Sequence, residues 1–272
     1  MLKIVVCDSG WGGELVADFL SEELGMVEIV RVIDWAHAPY HPKDRATIER
    51  LVEAALIRYL DQVDLIVLGG YGTSLALDYL CQKYPKQHFV GMDYSLPYIL
   101  HTRNYPNQIG VLAGKQTLAS ELFARLRASL PQSTFITAEH PTWEKLIDDG
   151  ELENEQIQAD LAPYFQLTGG PSPTSLRRLA QQKRSLPLAQ TLKPQQADHR
   201  SASTLATAPD PSLEPQSVDA LLILDTHFWE IKSELERLFG WRVRVLDFRR
   251  KLLHDVCAAL GLRGVDGGRG RH

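Results

Sequence analysis

Two apolar segments of the chain end in residues that can exchange protons with a small molecule. Asp8–Gly10 follows the apolar run Leu2–Cys7, and Asp225–His227 follows the apolar run Ala220–Leu224. A carboxylate or an imidazole can act as a general acid or base once its surroundings bring its pKa toward neutrality. The pattern therefore predicts acid–base chemistry at these two points of the chain. The candidate catalytic residues are Asp8, Asp225 and His227.

A third segment has the same order of residue types as the second, an Asp followed by an apolar run. It ends, however, without a group that can exchange a proton. Asp64 and Asp219 each precede an apolar run, and the run after Asp64 ends in Gly69 and Gly70. Glycine has no side chain, so this point of the chain offers no base. Tyr71 follows where a strand is expected to open into a loop.

The three cysteines do not supply the missing base. Cys7 comes one residue before Asp8 on a predicted strand, so its side chain should point to the opposite face of the sheet. Cys81 and Cys257 lie in predicted helical segments, where buried packing thiols are more common than nucleophiles. Their spacing matches neither a disulfide framework nor a metal site, which is typical of a reducing compartment.

Strands and helices that alternate along the chain must position these residues. Continuous apolar runs between amphipathic segments are typical of an α/β fold with mainly parallel sheet covered by helices on both faces. The predicted strands are Leu2–Cys7, Val27–Ile33, Leu65–Gly69, Phe89–Met92, Gln108–Leu112 and Ala220–Leu224. The predicted helices are Gly13–Leu24, Lys43–Val63, Leu75–Gln82 and Thr117–Leu130.

The strand–loop–helix pattern restarts at Gln108, which predicts two similar α/β lobes with a ligand cleft between their strand ends. The alternative is one continuous doubly wound sheet. We expect residues 1–99 and 228–272 to form the first lobe and residues 100–227 to form the second. Val243–Leu260, the last predicted strand and helix, should return to the first lobe.

Composition changes between residues 168 and 216, where proline, serine, threonine and glutamine replace the apolar periodicity. Such a stretch buries too little apolar surface to offset the entropy of ordering it, so we predict a disordered insertion. Its excess of arginine and lysine leaves open a second interpretation, a docking segment for an acidic partner.

The bulk composition limits the classes of partner. The chain has 272 residues, 44% of them hydrophobic, and a formal net charge of -5. This charge gives no reason to expect nucleic acid or an acidic membrane as partner. No segment reaches the roughly 18 apolar residues of a membrane span, and Leu2–Cys7 is too short for a signal sequence. We therefore expect a cytoplasmic protein and leave a homodimer open.

Four segments resemble the glutamate racemase family of the aspartate/glutamate racemase superfamily. Asp8–Gly13 is similar to the first strand-end loop of that family, and Asp34–Tyr40 to the second. Ile109–Leu112 is similar to the start of the second half, and Val218–His227 to the strand that ends Cys-Thr-His in the family. The matches cover nearly the whole chain outside the insertion. Compared with the family, we expect this chain to end short of the last strand and helix that are usual there.

The resemblance implies a cofactor-independent racemase fold with a cleft for a small acidic amino acid or related carboxylate, and a role in peptidoglycan. The family carries one catalytic cysteine at the end of each of two strands. In this chain Gly69 or Gly70 stands at the first position, depending on the alignment register, and Asp225 stands at the second. We therefore expect a racemase-like protein without two-cysteine racemase activity. The alternative is a divergent racemase, isomerase or lyase that uses Asp225 and His227.

The same matches give a set of candidate ligand-binding residues at the strand ends, and neither a cofactor nor a metal is expected. They are Asp8, Ser9, Pro39, Tyr40, Gly69, Gly70, Tyr71, Thr73, Thr117 and Thr226. We further expect Tyr71 to narrow or cover the cleft.

Simpler structural roles stay open for several of these residues. Asp8 could cap the following helix, Thr73 could belong to a helix N-cap, and His227 could be a core histidine with its hydrogen bonds satisfied. A metal site is also conceivable, although the spacing is not diagnostic of one. Its ligands would come from Asp8, Asp225, His227, His37 and His41.

Overall fold

The computed structural model describes residues 1–40, 43–92, 107–139, 143–148, 150–167 and 215–262. The strands of the first sheet are β1 (Leu2–Asp8), β2 (Val27–Ile33), β3 (Leu65–Leu68) and β4 (Phe89–Val90). Those of the second sheet are β5 (Gln108–Ala113), β6 (Thr134–Glu139), β7 (Ala220–Ile223) and β8 (Arg244–Leu246).

Helices cover these sheets and lead into and out of the strand ends. Those of the first half are α1 (Trp11–Leu24), α2 (Arg45–Leu56), α3 (Tyr71–Ser74) and α4 (Leu77–Lys83). Those that follow are α5 (Lys115–Leu118), α6 (Glu121–Ser129), α7 (Trp143–Asp148), α8 (Asn154–Leu161), α9 (Lys232–Phe239) and α10 (Arg249–Ala259). Two short 3₁₀ turns span Trp35–His37 and Thr226–Trp229.

The two sheets have the same strand order and the same direction throughout. The order is β2–β1–β3–β4 in the first sheet and β6–β5–β7–β8 in the second, with every pairing parallel. This confirms the prediction of an α/β fold with two similar lobes and excludes one undivided sheet.

Asp64 and Asp219 have equivalent structural roles in the two lobes. Asp64 Oδ2 accepts a 2.7 Å hydrogen bond from the backbone N–H of Lys3 in β1. Asp219 Oδ2 accepts hydrogen bonds of 2.8 and 2.9 Å from the backbone N–H groups of Asn107 and Gln108 at the start of β5. Each aspartate therefore ties its own strand to the first strand of its lobe, and the two lobes can be compared residue by residue from these points.

Both faces of the first sheet are buried, which explains its continuous apolar runs. Ile4 and Val6 of β1 pack into one core with α1, while Val5 and Cys7 pack into another with α2 and α4. Successive side chains of a strand point to opposite faces. The predicted separation of Cys7 from Asp8 follows from this alternation.

Polar side chains shorten two of the predicted helices. The predicted helix Thr117–Leu130 is interrupted at Ser120, whose Oγ accepts a 3.0 Å hydrogen bond from the Phe123 N–H and begins α6. The predicted helix Lys43–Val63 begins instead after Asp44, which caps it through the Thr47 N–H at 2.9 Å, and ends at Leu56.

The last strand and helix belong to different lobes. The prediction that both return to the first lobe is wrong for the strand, because β8 pairs with β7 in the second sheet, with Val245 opposite Leu221. A strand–helix–strand connection through α9 places consecutive parallel strands side by side. The prediction is right for the helix, since α10 contacts β3 and β4 of the first sheet. The lobe boundaries at residues 99 and 228 stay a prediction.

The lobes also touch beside the strand ends. Helix α1 of the first lobe contacts the turn Thr226–Trp229 of the second, and the rings of Phe19 and Trp229 meet edge to face with centroids 6.2 Å apart. Among the described residues, no helix has the length and apolar character needed to cross a membrane.

Candidate active site

The carboxyl ends of strands from both lobes surround one cleft of about 320 Å³. In parallel sheets the loops at these ends are the usual place for a small ligand. The first lobe contributes Asp8–Trp11, Trp35, Ala38–Tyr40 and Gly70–Gly72 to the lining. The second lobe contributes Gly114, Gln116, Thr117 and Asp225–His227.

Most of the predicted site residues meet at this cleft. Gly69 and Thr73 are the two that do not line it. Trp35, Gly114 and Gln116 line it and were not among the candidates. The last two follow β5 directly, so applying the strand-end rule to that strand as well would have found them.

Asp8 is a buried carboxylate at the end of β1. Its side chain is buried, with the residue only 7% exposed, and burial raises its pKa to about 6 against the opposing effect of hydrogen bonds from Ser9 and Thr73. The N-cap residue of α1 is Gly10 and no side chain caps the helix, so Asp8 does not serve as the helix cap. The carboxylate is thus available to the cleft.

Gly70 faces the Asp8 carboxylate directly. A Cβ atom added at Gly70 would lie 2.7 and 2.9 Å from the two carboxylate oxygens of Asp8. A Cβ atom at Gly69 would instead meet Val6 at 3.3 Å and Gly13 at 3.4 Å. Of the two glycines, Gly70 therefore has the position from which a side chain would enter the cleft.

Thr73 and Ser74 fix the turn beneath this position. The Thr73 hydroxyl accepts a 3.2 Å hydrogen bond from the Gly70 N–H and lies 3.4 Å from Asp8 Oδ1. The Ser74 hydroxyl donates to the Gly70 carbonyl at 2.6 Å and accepts from the Met92 N–H at 2.9 Å. Neither residue caps α4, which starts after Ala76. Thr73 supports Asp8 from below the cleft.

Asp225 is the corresponding acidic group of the second lobe. It accepts hydrogen bonds from the Gly114 N–H at 2.5 Å and the Thr117 hydroxyl at 2.6 Å. Burial raises its pKa, while these two donors and the positive potential of His227 act in the opposite direction. Asp225 and His227 both line the cleft. His227 is thus a cleft residue beside Asp225 and not a histidine enclosed in the core.

Asp34 holds the loop that forms one rim of the cleft. Its carboxylate accepts hydrogen bonds from the Tyr40 hydroxyl at 2.7 Å and the His37 N–H at 3.2 Å. These contacts lower the pKa of Asp34 although its partial burial acts to raise it. Tyr40 is consequently buried at 1% exposure, whereas Trp35 at the mouth is 54% exposed.

No cysteine reaches the cleft. The chain has three cysteines, and all lie in described residues. Cys7 is buried in the core behind β1, where burial and the charge of Asp8 raise its thiol pKa. Cys81 is exposed on α4, and Cys257 is buried on α10.

Across the described part of the chain, no three His, Cys, Asp or Glu side chains are grouped so as to hold a metal ion. One candidate ligand of the conceivable metal site, His41, lies outside the described residues.

A cleft at the carboxyl ends of two parallel sheets with the same strand order is typical of one class of two-lobed α/β proteins. The glutamate racemase of Campylobacter jejuni has this fold, with a TM-score of 0.64 and 22% identity over 94% of this chain and 85% of that one. Escherichia coli glutamate racemase, solved with L-glutamate and the activator UDP-MurNAc-Ala, gives a TM-score of 0.60 and 18% identity over 97% and 84%.

Sequence comparison agrees with the fold. Glutamate racemase of Sulfurovum sp. is 30% identical over 165 residues, which is 58% of this chain and 60% of that protein. The match thus spans about three fifths of this relative. No protein-family model matches the sequence. The chain is thus similar in sequence and in fold to glutamate racemases.

Proposed function

We propose that the chain is a glutamate-racemase-like protein whose cleft takes a small acidic amino acid or related carboxylate, without two-cysteine racemisation. The observation that carries the proposal is the absence of a thiol at the cleft, given that all three cysteines are described. Cofactor-free racemisation by thiols needs one on each side of the ligand.

The size of the cleft and the hydroxyl groups in its lining support a small ligand. A cleft of about 320 Å³ is at the lower end of small-molecule sites. Hydroxyl groups of Ser9 and Thr226 line it and can bond a carboxylate or an ammonium group. The solved relatives include a glutamate racemase of Francisella tularensis in complex with D-glutamate.

Thermal unfolding in the presence of glutamate, aspartate and simple dicarboxylates tests this proposal. A ligand that binds the native state alone stabilises it by about 2.7 kcal/mol at a hundredfold excess over Kd. We expect a rise in melting temperature that Thr226→Ala reduces and Asp78→Asn, an exposed change on α4, leaves intact.

Two results would count against the proposal. One is the absence of any shift with every acid. The other is racemisation that is lost in Cys7→Ala or Cys257→Ala while the melting temperature of the variant stays unchanged.

A second candidate function is that of a divergent isomerase or lyase using Asp225 and His227. Its support is the position of both residues at the cleft with a carboxyl whose pKa burial raises. Decarboxylation or elimination needs acid–base help on one face only, together with stabilisation of the developing charge. Turnover that survives both Asp225→Asn and His227→Ala unchanged would remove this candidate.

The cellular setting forms a further part of the proposal. The similarity to glutamate racemases supports a role in peptidoglycan supply, and three cysteines without disulfide spacing support a cytoplasmic location. Cell fractionation tests the location, and analytical ultracentrifugation tests a homodimer. Binding of a polyanion that is lost when the segment 168–214 is removed would support an acidic partner.

A further inference from the structure

Residue-by-residue comparison of the two lobes makes Gly70 the counterpart of Asp225. Asp64 and Asp219 have the same role at the start of equivalent strands, and Gly70 and Asp225 each follow six residues later. The second lobe thus has a carboxylate at this position, and the first lobe has glycine.

The carboxylate of Asp8 occupies the space that a side chain at Gly70 would need. Its oxygens lie 2.7 and 2.9 Å from where a Cβ atom would stand. A larger residue at this position would therefore require the Asp8 carboxylate to shift. Asp8 brings to the first lobe the kind of group that Asp225 brings to the second.

We infer that Asp8 and Asp225 form an acid–base pair across the cleft, in which each carboxyl moves a proton at one face of the α-carbon of a bound amino acid. This inference rests on the proposed function and gives it a two-sided reaction that uses no thiol. It differs from the one-sided candidate because Asp8 becomes a catalytic residue equal in importance to Asp225.

The step is balanced in atoms and electrons. One carboxylate takes the α-proton, and the electron pair of the broken C–H bond stays on the ligand, delocalised into its carboxylate group. The other carboxyl, protonated at the start, gives its proton to the opposite face of the same carbon. One proton leaves and one arrives, no oxidant or reductant is required, and exchange with solvent restores the starting protonation.

The surroundings of Asp8 support both of its protonation states, and burial raises the pKa of Asp225. Asp8 has a pKa of about 6, so its neutral and ionised forms are both populated near neutral pH. Asp225 lines the cleft, and its carboxylate is held in place by hydrogen bonds from the Gly114 N–H and the Thr117 hydroxyl. A general acid and base work best when their pKa values lie near the working pH.

The test follows the α-proton of each enantiomer separately in D₂O, using the D- and L-forms of glutamate, aspartate and alanine. The wild-type protein should exchange the α-proton of both enantiomers of one amino acid and interconvert them. Asp8→Asn and Asp225→Asn should each lower interconversion by at least about 100-fold, the lower end of the usual contribution of an acid–base group.

The two variants should also differ from one another. Each retains one carboxyl, so each should still exchange the α-proton of one enantiomer, and the enantiomer should be opposite in the two variants. Gly70→Ala should resemble Asp8→Asn, because the added methyl group displaces the Asp8 carboxylate. The surface variant Asp78→Asn should match the wild type.

The outcomes separate this inference from the function on which it rests. A ligand that raises the melting temperature without any α-proton exchange overturns the acid–base pair and leaves the binding proposal standing. Exchange that Asp8→Asn does not change also overturns the pair and favours the one-sided candidate. Absence of any ligand-induced stabilisation contradicts both.

Discussion

Asp8 is a residue whose position at the cleft lowers the stability of the folded chain at neutral pH. Burial raises its pKa from 3.8 to about 6, although Ser9 and Thr73 donate hydrogen bonds to it. A buried carboxyl that keeps such a pKa is in a place where ionisation is unfavourable. Groups of this kind are often found at functional sites, because chemistry there needs a proton that can come and go.

This carboxyl gives a prediction on the pH dependence of stability. Between pH 4 and 6 the native protein binds the Asp8 proton more tightly than the unfolded chain, so the contribution of Asp8 to stability falls as the pH rises through this window. A difference of two pKa units corresponds to about 3 kcal/mol. We expect Asp8→Asn to be more stable than the wild type at pH 7.5, with the difference fading at pH 4.

Chemical denaturation at the two pH values measures this difference. The exposed variant Asp78→Asn on α4 is the matched control and should show no comparable change between them. An Asp8→Asn protein that is less stable than the wild type at pH 7.5 would show that the hydrogen bonds to Asp8 outweigh its burial.

At the scale of elements, the close contact between α1 and the turn Thr226–Trp229 joins the lobes beside the cleft. A Cβ atom at Gly12 of α1 would lie 2.1 Å from Thr226 Oγ1 and 3.2 Å from its Cβ. Only glycine permits this approach. The arrangement sets how near the second-lobe residues of the cleft come to Asp8.

Gly12→Ala should therefore destabilise the protein by about 1–3 kcal/mol, as overpacking of a buried contact does. Because the closest atom is Thr226 Oγ1, the double variant with Thr226→Ala should recover part of the loss. We expect a coupling free energy of about 0.5 kcal/mol or more in a double-mutant cycle. Urea denaturation of the four proteins gives this value.

Gly13→Ala provides the matched comparison. Its added Cβ would meet Asp8 and Ile33 within the first lobe, at 2.4 and 2.7 Å, and not Thr226. It should destabilise the protein but combine additively with Thr226→Ala. Equal coupling in both cycles would mean that the effect does not arise at the contact between the lobes.

The elements also show what the sequence could predict. Buried strands such as β1 and β7 were predicted closely, because a short continuous apolar run that ends at a polar residue is typical of a buried strand. Ser120 divided a predicted helix, since its hydroxyl satisfies a backbone N–H that the apolar periodicity does not reveal. The place of β8 was missed although β7, α9 and β8 follow one another in the chain, an order that places consecutive parallel strands side by side.

The sequence also predicted most residues of the candidate site, because the fold class determines where the strand-end loops meet. Strand-end residues such as Ser9 and Thr226 reach the cleft because the topology of a parallel sheet brings such loops together. The relation between Asp8 and Gly70 was not predictable, since the two are distant in sequence and the alignment register left Gly69 and Gly70 equivalent. Only the packing distances distinguish the two glycines.

At the scale of the whole molecule, the segment 168–214 interrupts the second lobe between α8 and β7. The chain on either side of it is held together by a parallel bridge, in which the Gln166 N–H donates to the Gln216 carbonyl and the Gln216 N–H donates to the Tyr164 carbonyl, both at 2.9 Å. Phe165, at the centre of the bridge, is fully buried. The described chain on both sides of the segment is thus held together within the second lobe.

Replacement of residues 168–214 by a flexible linker should therefore leave the fold intact. The linker must run back along the bridge because the pairing is parallel, and about ten Gly/Ser residues give it sufficient reach. Loop closure costs about 0.6 kcal/mol for each doubling of length, so the shortened protein should gain about 1 kcal/mol of stability. Circular dichroism melting measures that gain, and the ligand-induced shift in melting temperature should match that of the full chain. A shortened protein that folds but no longer responds to any ligand would show that the segment contributes directly to the cleft.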